Sequence, residues 1–197
     1  MKFKVPLYKI YNKGRIHKVL VFPQGRKSAA WCFDDAPEEP HYMIDGSREA
    51  MLQVQHALAA LIANPSLIIY FPIKKPGDTS YGDYMTFDAV LMRPELQFRR
   101  SDWYDIKSKL DQKHCVGKYT IRHNEKKLND LATKEYDGRY WRLEWDKLKE
   151  ELLGETVFFV LPKSICLDYH KDITHGLLRY DPDDEYATHC GIGYAVT

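Results

Sequence analysis

The sequence contains no closely spaced cysteine pair, no long apolar run and almost no net charge. Its four cysteines (Cys32, Cys115, Cys166 and Cys190) lie far apart, which predicts reduced thiols in an intracellular protein and not a disulfide framework. The longest apolar runs, such as LIIYFPI, are much shorter than a membrane span, and the first fifteen residues lack the apolar stretch of a signal peptide. We therefore expect a cytoplasmic protein, in the host cytoplasm if its source is viral, that has no membrane partner.

The charge balance limits how this protein could bind a nucleic acid. Lys and Arg number 29 and Asp and Glu 28, for a net charge of +1, so that the overall electrostatic field is weak. Any contact with a phosphate backbone must then come from a local cluster of basic residues. The 197 residues, 44% of them hydrophobic, are enough for one domain with a sizeable core.

Hydrophobic periodicity predicts alternating strands and helices along the chain. Apolar residues on both sides of Asn12-Lys13-Gly14 predict a β-hairpin, and ETVFFVLP and SLIIYFPI read as buried strands. Positions 51, 54, 58, 61 and 62 follow the helical period, with Asp45 or Ser47 as the cap and Asn64-Pro65 as the stop. NEKKLNDLATKEYDG and DKLKEELLG are predicted to be helices, and RYWRLEW a strand.

The order of these elements predicts the fold class. From residue 46 we expect a helix, a meander of three strands, a helix and a strand, which indicates an α/β protein with a mixed central sheet and helices on both faces. We expect a single domain over 1–161, with an N-terminal β region over 1–44 and a core over 45–161. Residues 162–197 are predicted to be a C-terminal extension that packs on this core.

Two strands of the predicted meander would bring two carboxylates together. If residues 84–92 and 101–108 pair as antiparallel strands, Asp88 faces Asp105, and Lys107 lies on the same face. Opposed like charges destabilise a sheet, and a bound divalent cation would relieve them, with the Ile106 carbonyl as a further ligand. Lys107 would then orient the attacking water or a phosphate oxygen. A solvated hairpin with a surface ion pair is the ordinary alternative.

Glu49 is a third carboxylate that this predicted site could include. It lies in the first turn of the helix that precedes the meander, and packing of that helix on the sheet could bring it to the two aspartates. An acidic residue at a helix N-terminus also simply complements the helix dipole.

The densest basic stretch of the chain surrounds the same segment and is interleaved with aromatic residues. It contains Arg93, Arg99, Arg100, Lys109, Lys113 and Lys118. Such residues could follow a phosphate backbone beside the predicted metal site, and they could equally form the solvated face of a hairpin.

The order and spacing of these acidic residues and the lysine resemble the PD-(D/E)XK nuclease superfamily. Within it, the stretch from position 46 to position 145 resembles the TnsA-type endonuclease subunit of heteromeric transposases. The shared features are a helix that carries Glu49, an Asn-Pro stop, an apolar strand, Asp88 on the next strand, and an acid-x-Lys strand. A phage or mobile-element enzyme is compatible with this resemblance.

The resemblance implies a restriction-endonuclease-like core and hydrolysis of DNA with Mg²⁺ or Mn²⁺. It implies that Asp88 and Asp105 are metal ligands, that Glu49 binds a metal directly or through water, and that Lys107 assists the nucleophile. DNA is the implied partner, and a transposase-like protein and a second copy of the chain are compatible with the same resemblance.

Two other classes of protein compete with a nuclease. One is a nucleic-acid-binding or assembly module that keeps the fold without catalysis, and the other is a viral structural or inhibitor protein in which the charges are incidental. The tail also contains Cys166, His170, His175, His189 and Cys190, but their spacing is unlike that of structural zinc sites, so that we predict no zinc.

Overall fold

The computed structural model of the chain describes residues 2–22, 30–34, 41–45, 48–72, 87–136, 144 and 147–179. The strands in these ranges are β1 (Lys2–Asn12), β2 (Arg15–Val21), β3 (Ala30–Asp34), β4 (His41–Asp45), β5 (Leu67–Phe71), β6 (Asp88–Met92), β7 (Gly117–Arg122), β8 (Lys149–Leu153) and β9 (Thr156–Val160). The α-helices are α1 (Arg48–Ala63), α2 (Trp103–Gln112), α3 (Glu125–Tyr136) and α4 (Lys163–Arg179).

Seven of these strands form one mixed sheet in the order β7-β1-β2-β5-β6-β9-β8. β2 runs parallel to β5 and β6 runs parallel to β9, whereas the other neighbours are antiparallel. β3 and β4 pair with each other as a separate antiparallel ribbon. The predicted α/β class with a mixed central sheet is confirmed.

Successive residues of the central strands point to opposite faces of this sheet, and both faces are covered. On one face Leu67, Ile69 and Phe71 of β5 belong to a core that includes α1 and α4, which we call the first core. On the other face Ile68 and Tyr70 belong to a second core that includes residues of α2. A strand buried on both faces is apolar at every position, as β5 is.

Two local predictions are confirmed, the β-hairpin at Lys13-Gly14 and the end of α1 at Asn64. Asn12 pairs with Arg15 across a two-residue turn, in which Lys13 and Gly14 both have positive φ (45° and 81°), the conformation that suits a tight hairpin. α1 ends before Asn64, whose side-chain oxygen accepts a hydrogen bond from the Ser66 N–H at 3.1 Å. Among the described residues, no helix is long and apolar enough to cross a membrane.

The strand predicted over 101–108 is wrong. These residues form a short 3₁₀ turn followed by α2, so that β6 is followed by a helix and the three-strand meander does not form. Trp103, Ile106 and Leu110 recur at helical spacing and are all buried in the second core, whereas a strand would place Trp103 on the polar face with Asp105. The helical period outweighs the shorter alternation of Tyr104 and Ile106, because burying the three-residue stripe removes more apolar surface from water.

The helix predicted over 146–154 is also wrong, since its second half forms β8. Leu153 pairs with Thr156 across Gly154-Glu155, and Gly154 has a φ of 61°. A two-residue turn of this kind joins antiparallel strands, and pairing with β9 overrides the helix preference of the Lys-Glu-Glu-Leu-Leu segment. β4 and β7 were not predicted.

Some predictions fall outside the described residues. They are the Ser47 cap, the first residues of the strand over 84–92, most of the strand over 139–145, and the tail beyond 179. Residues 163–179 form α4, whose Ile165, Cys166 and Tyr169 are part of the first core.

Substitution of Trp103 and Tyr104 tests the helix against the predicted strand. Trp103 is 0% exposed and Tyr104 is 53% exposed, whereas a strand would reverse which of the two faces the core. We expect Trp103→Ala to lower the free energy of unfolding by about 3–5 kcal/mol, the usual loss for a buried aromatic residue. Tyr104→Ala should cost roughly 0.5–1 kcal/mol, because a surface residue loses little on truncation.

Urea unfolding of the wild type and both variants, followed by circular dichroism, measures these differences. A larger loss for Tyr104→Ala than for Trp103→Ala would contradict the helical packing.

Candidate functional site

Asp88, Lys107 and Tyr70 form a polar cluster at the position of the predicted metal site. The Lys107 ammonium donates to Oδ2 of Asp88, and the Tyr70 hydroxyl donates to the same oxygen at 2.9 Å. Asp88 is 7% exposed, and the side chain of Lys107 is 29% exposed. Burial, followed by the charge of Asp88, raises the pKa of Tyr70 above its ordinary value, so that the phenol stays protonated and remains a donor.

The register of the sheet explains why these three side chains meet. Asp88 begins β6 and has the same parity as Val90 and Met92, which point into the second core. Tyr70 points to the same face from β5, and α2 lies against that face. Lys107 is one residue from Ile106, at the edge of the buried stripe of α2, and its long side chain reaches the carboxylate.

Asp105 is not brought to Asp88. In a helix, residues two apart are separated by about 200° around the axis, so that Asp105 and Lys107 lie on different sides of α2. Asp105 is exposed; the hydrogen bond and charge of Asp102, and to a smaller extent the charge of Asp105, raise the pKa of Lys13. The residue that faces Asp88 across the sheet is Thr156 of β9, and the predicted pairing of Asp88 with Asp105 is therefore wrong.

The other two predicted metal ligands, Ile106 and Glu49, have positions that the fold explains without a metal. Ile106 lies inside α2 with its side chain fully buried, so that its carbonyl belongs to the helix backbone. Glu49 is exposed in the first turn of α1, which packs on the first core, on the opposite face of the sheet from Asp88. Complementation of the helix dipole is the role that this position supports.

The described residues therefore do not fit a Mg²⁺ or Mn²⁺ site. Within the ranges that the structure describes, no three His, Cys, Asp or Glu side chains are grouped so that they could hold a metal ion. Oδ2 of Asp88 already accepts hydrogen bonds from a lysine and a tyrosine. This arrangement neutralises a buried carboxylate, which is what a structural ion pair between sheet and helix requires.

Three of the six predicted DNA-binding residues are engaged within the protein. Arg93 is 5% exposed and pairs with Glu95 at 2.5 Å, and Arg100 pairs with Glu151. Lys109 donates to the Asn12 side chain at 2.7 Å and to the Tyr11 carbonyl at 3.2 Å. The other three, Arg99, Lys113 and Lys118, are exposed.

The structure adds three basic residues that the sequence reasoning did not select. Lys2 lies directly opposite Arg122 in the β1–β7 pairing, and Lys4 and Lys118 follow at alternate positions on the same two strands. Their neighbours Val5 and Ile121 point into the first core, so that Lys2, Lys4, Lys118 and Arg122 share the other face, and all four are exposed. We call this surface the basic face.

The basic face contains no balancing acid of its own. Neither β1 nor β7 contains an Asp or a Glu, and none of the four side chains forms an ion pair with a described residue. The alternating Lys-x-Lys at the start of β1 was a sequence signal for the basic face. Because the partner strand β7 was not predicted, the sequence did not show that the basic residues of the two strands lie side by side.

The tail residues considered for zinc are divided between core and surface. Cys166 is buried, its thiol lies 3.7 Å from the Leu161 carbonyl, and burial raises its pKa to about 12. His170 is fully buried and His175 is exposed, while His189 and Cys190 lie outside the described residues.

Comparison of the chain with protein-family models, with curated proteins and with solved structures finds no match. The resemblance to PD-(D/E)XK nucleases stays a prediction.

A double-mutant cycle tests the contact between Asp88 and Lys107. We expect Asp88→Asn and Lys107→Met each to destabilise the protein, with a coupling free energy of about 0.5–3 kcal/mol, the range for residues in direct contact. The matched control is Asp105→Asn with Lys107→Met, which should be additive within about 0.5 kcal/mol because the two residues lie on different sides of α2.

Unfolding free energies of the single and double variants provide the measurement. If Asp88 instead faced Asp105, as the sequence-based prediction has it, Asp88→Asn would remove a repulsion between like charges. The substitution would then be neutral or stabilising. A stabilised Asp88→Asn protein, or strong coupling in the Asp105 cycle, would contradict the observed contact.

Proposed function

We propose that this protein binds DNA through the basic face of β1 and β7. The single observation that carries the proposal is the position of Lys2, Lys4, Lys118 and Arg122, four exposed cations on one surface of two paired strands. A net charge of +1 for the whole chain means that most basic residues are balanced elsewhere, and this face is a local excess.

The arrangement has an energetic cost that supports a ligand of opposite charge. Lys2 and Arg122 are directly opposed in an antiparallel pair, and directly opposed like charges destabilise a sheet. Lys2 and Lys4 are two residues apart on one strand, so that their side chains leave the sheet about 6.7 Å apart. A nucleic-acid backbone presents regularly spaced anions to such a surface and releases condensed counterions when the phosphates are neutralised.

This proposal is the non-catalytic alternative from the sequence analysis, in which a nucleic-acid-binding module keeps an α/β fold without a catalytic metal. It requires no carboxylate cluster, and the separation of Asp105 and Glu49 from Asp88 is in accord with it. Binding through lysines and an arginine that contact phosphates is expected to depend weakly on sequence and strongly on salt.

The salt dependence of binding tests this proposal. We expect a variant with Lys2, Lys4, Lys118 and Arg122 replaced by Gln to bind a labelled duplex at least 10-fold more weakly at about 50 mM salt, because roughly 0.9 counterions are released per phosphate contact. The slope of log affinity against log salt should decrease by about 1 for each phosphate that the variant no longer neutralises. The matched control replaces the exposed Lys126, Lys127, Lys134 and Lys149 by Gln.

Fluorescence anisotropy in EDTA measures both variants without interference from hydrolysis. Because the two variants carry the same net charge, equal losses of affinity would show that only the overall charge matters, and the basic face would be rejected.

Metal-dependent hydrolysis of DNA is a second proposal, supported by the proximity of Lys107 to Asp88. It requires a cation to replace the hydrogen bonds that Lys107 and Tyr70 donate to this carboxylate. Two of the four residues implied by the nuclease resemblance meet at the start of β6, after a helix and a buried strand in the order that a restriction-endonuclease-like core has. The described residues do not provide a metal site, so that this proposal derives no catalytic step from them.

The hydrolysis proposal is tested with supercoiled, linear, branched and single-stranded DNA in Mg²⁺, Mn²⁺ or EDTA. If Asp88 and Lys107 form the reaction centre, then Asp88→Asn and Lys107→Ala should each reduce activity about 100-fold or more, the usual size of an acid–base or charge-stabilising contribution. Asp105→Asn, on the opposite side of α2, should keep it. Cleavage that survives EDTA or the Asp88 substitution would exclude this mechanism.

A further inference from the structure

Three imidazoles lie close together where α1, α4 and the end of β7 meet. His56 of α1 is 4% exposed, His170 of α4 is 0% exposed, and His123, which follows β7, is half-buried. The ring centres of His56 and His123 are 5.0 Å apart, and those of His123 and His170 are 5.5 Å apart. We call these residues the histidine cluster.

The surroundings of the histidine cluster are largely apolar. The ring of Phe3 from β1 stacks on His56 at 4.5 Å. Nδ1 of His56 and both ring nitrogens of His170 have no hydrogen-bond partner among the described residues. A buried polar atom without a hydrogen-bond partner destabilises the folded state. Burial of these two imidazoles therefore lowers stability, and a role that depends on their protonation would explain why they are present.

Few charges near the cluster could stabilise an imidazolium. The Gln55 amide of α1 is neutral and donates to the Thr174 hydroxyl of α4 at 2.8 Å. Asp168 and Lys171 also lie on α4, but the pKa of His170 is lowered by burial and by the charges of His123 and His56. Burial opposes protonation of His123, and the charge of Glu125 at the start of α3 favours it to a smaller extent. Protonation of one imidazole also opposes protonation of its neighbours.

The histidine cluster makes the stability of the folded state fall as the pH decreases. Burial, followed by neighbouring histidines, lowers the pKa of His56 and of His170 from 6.5 to about 4, and burial lowers the pKa of His123. A histidine whose pKa is lower in the folded state binds more protons when it is exposed. Its contribution to stability is therefore fully present above pH 6.5 and is lost as the pH falls from 6.5 toward 4.

We propose that protonation of the histidine cluster releases α4 and the β1–β7 edge from α1, so that mildly acidic solution opens this part of the molecule before the rest unfolds. α1 and α4 each contribute one histidine to the contact, and the third histidine directly follows β7. Among the described strands β7 lies at the edge of the sheet and pairs with β1 alone, so that these strands hold it from one side. The centre of the sheet, from β2 to β9, carries no residue of the cluster and keeps the second core, to which neither α4 nor β7 contributes a residue.

The opening would also alter the basic face, because the same strands carry both groups of residues. Phe3, which stacks on His56, lies between Lys2 and Lys4, and His123 follows Arg122 directly. The proposal itself goes beyond DNA binding and does not depend on it, since it concerns the packing of the protein alone.

Hydrogen exchange of the whole chain at pH 7 and pH 5, corrected for the intrinsic rate, tests the proposal. Each histidine that changes its pKa from about 4 to about 6.5 on opening should favour the open state about 30-fold at pH 5. We expect amide protection in α4 and β7 to fall by at least that factor relative to β5 and β6. His56→Phe with His170→Leu should remove this dependence on pH, and His175→Gln, on the exposed side of α4, should retain it.

Imidazole NMR titration of the unmodified protein provides a second measurement if the double variant does not fold. Two imidazoles that titrate well below pH 6.5, together with selective loss of protection in α4 and β7, would support the proposal. Histidines that titrate at ordinary values without such a loss would overturn it, and so would a uniform loss across the sheet. A saturable one-to-one increase in protection on adding Zn²⁺ at pH 7 would overturn it in favour of a metal site.

Discussion

Burial of Trp103, Ile106 and Leu110 against the sheet is the constraint on which the candidate site depends. These side chains recur at the helical period, and only a helix can place all three against one face. Once this stripe is buried, the direction of every other residue of α2 follows from the helical rotation of about 100° per residue. Lys107 is carried toward Asp88, Asp105 is carried away from it, and the acid-x-Lys pattern no longer marks one surface.

The same packing explains why a buried carboxylate can be retained at the start of β6. An isolated charge in the second core would be strongly unfavourable, but Lys107 and Tyr70 both donate to Asp88. The contact joins the central sheet to α2 beside the apolar packing of the Tyr70 ring against Trp103. A carboxylate satisfied in this way is suited to holding two elements together, whereas a metal ligand must leave its oxygens available to the cation.

The basic face and the surroundings of the histidine cluster both depend on the register of β1 and β7. Alternate residues of β1 point either into the first core, where Phe3 meets His56, or away from it, where Lys2 and Lys4 lie beside β7. A shift of one residue would bury the lysines and expose the phenylalanine. The register therefore determines both the charge of the outer face and the apolar surroundings of the histidine cluster.

Local patterns were sufficient for the elements that bury a regular apolar pattern. The hairpin at Lys13-Gly14, the helix over 48–63 and the doubly buried strand β5 follow from turn residues, the helical period and a continuous apolar run. At 101–108 two periods competed over a few residues, and at 149–153 pairing with β9 overrode local helix propensity. In both places the local free-energy differences are small, and contacts with residues distant in the chain decide the outcome.

The sequence by itself determined the α/β class, the apolar strands and the small net charge, because these depend on composition and on periodicity within one segment. Only the tertiary structure decided that Asp88 meets Lys107 and not Asp105, that the Lys2 and Arg122 side chains share a face, and that His56, His123 and His170 converge. Each of these contacts joins segments that are distant in the chain. Which side chains meet is then set by the register of the sheet and the rotation of the helices packed on it, and no single segment encodes either.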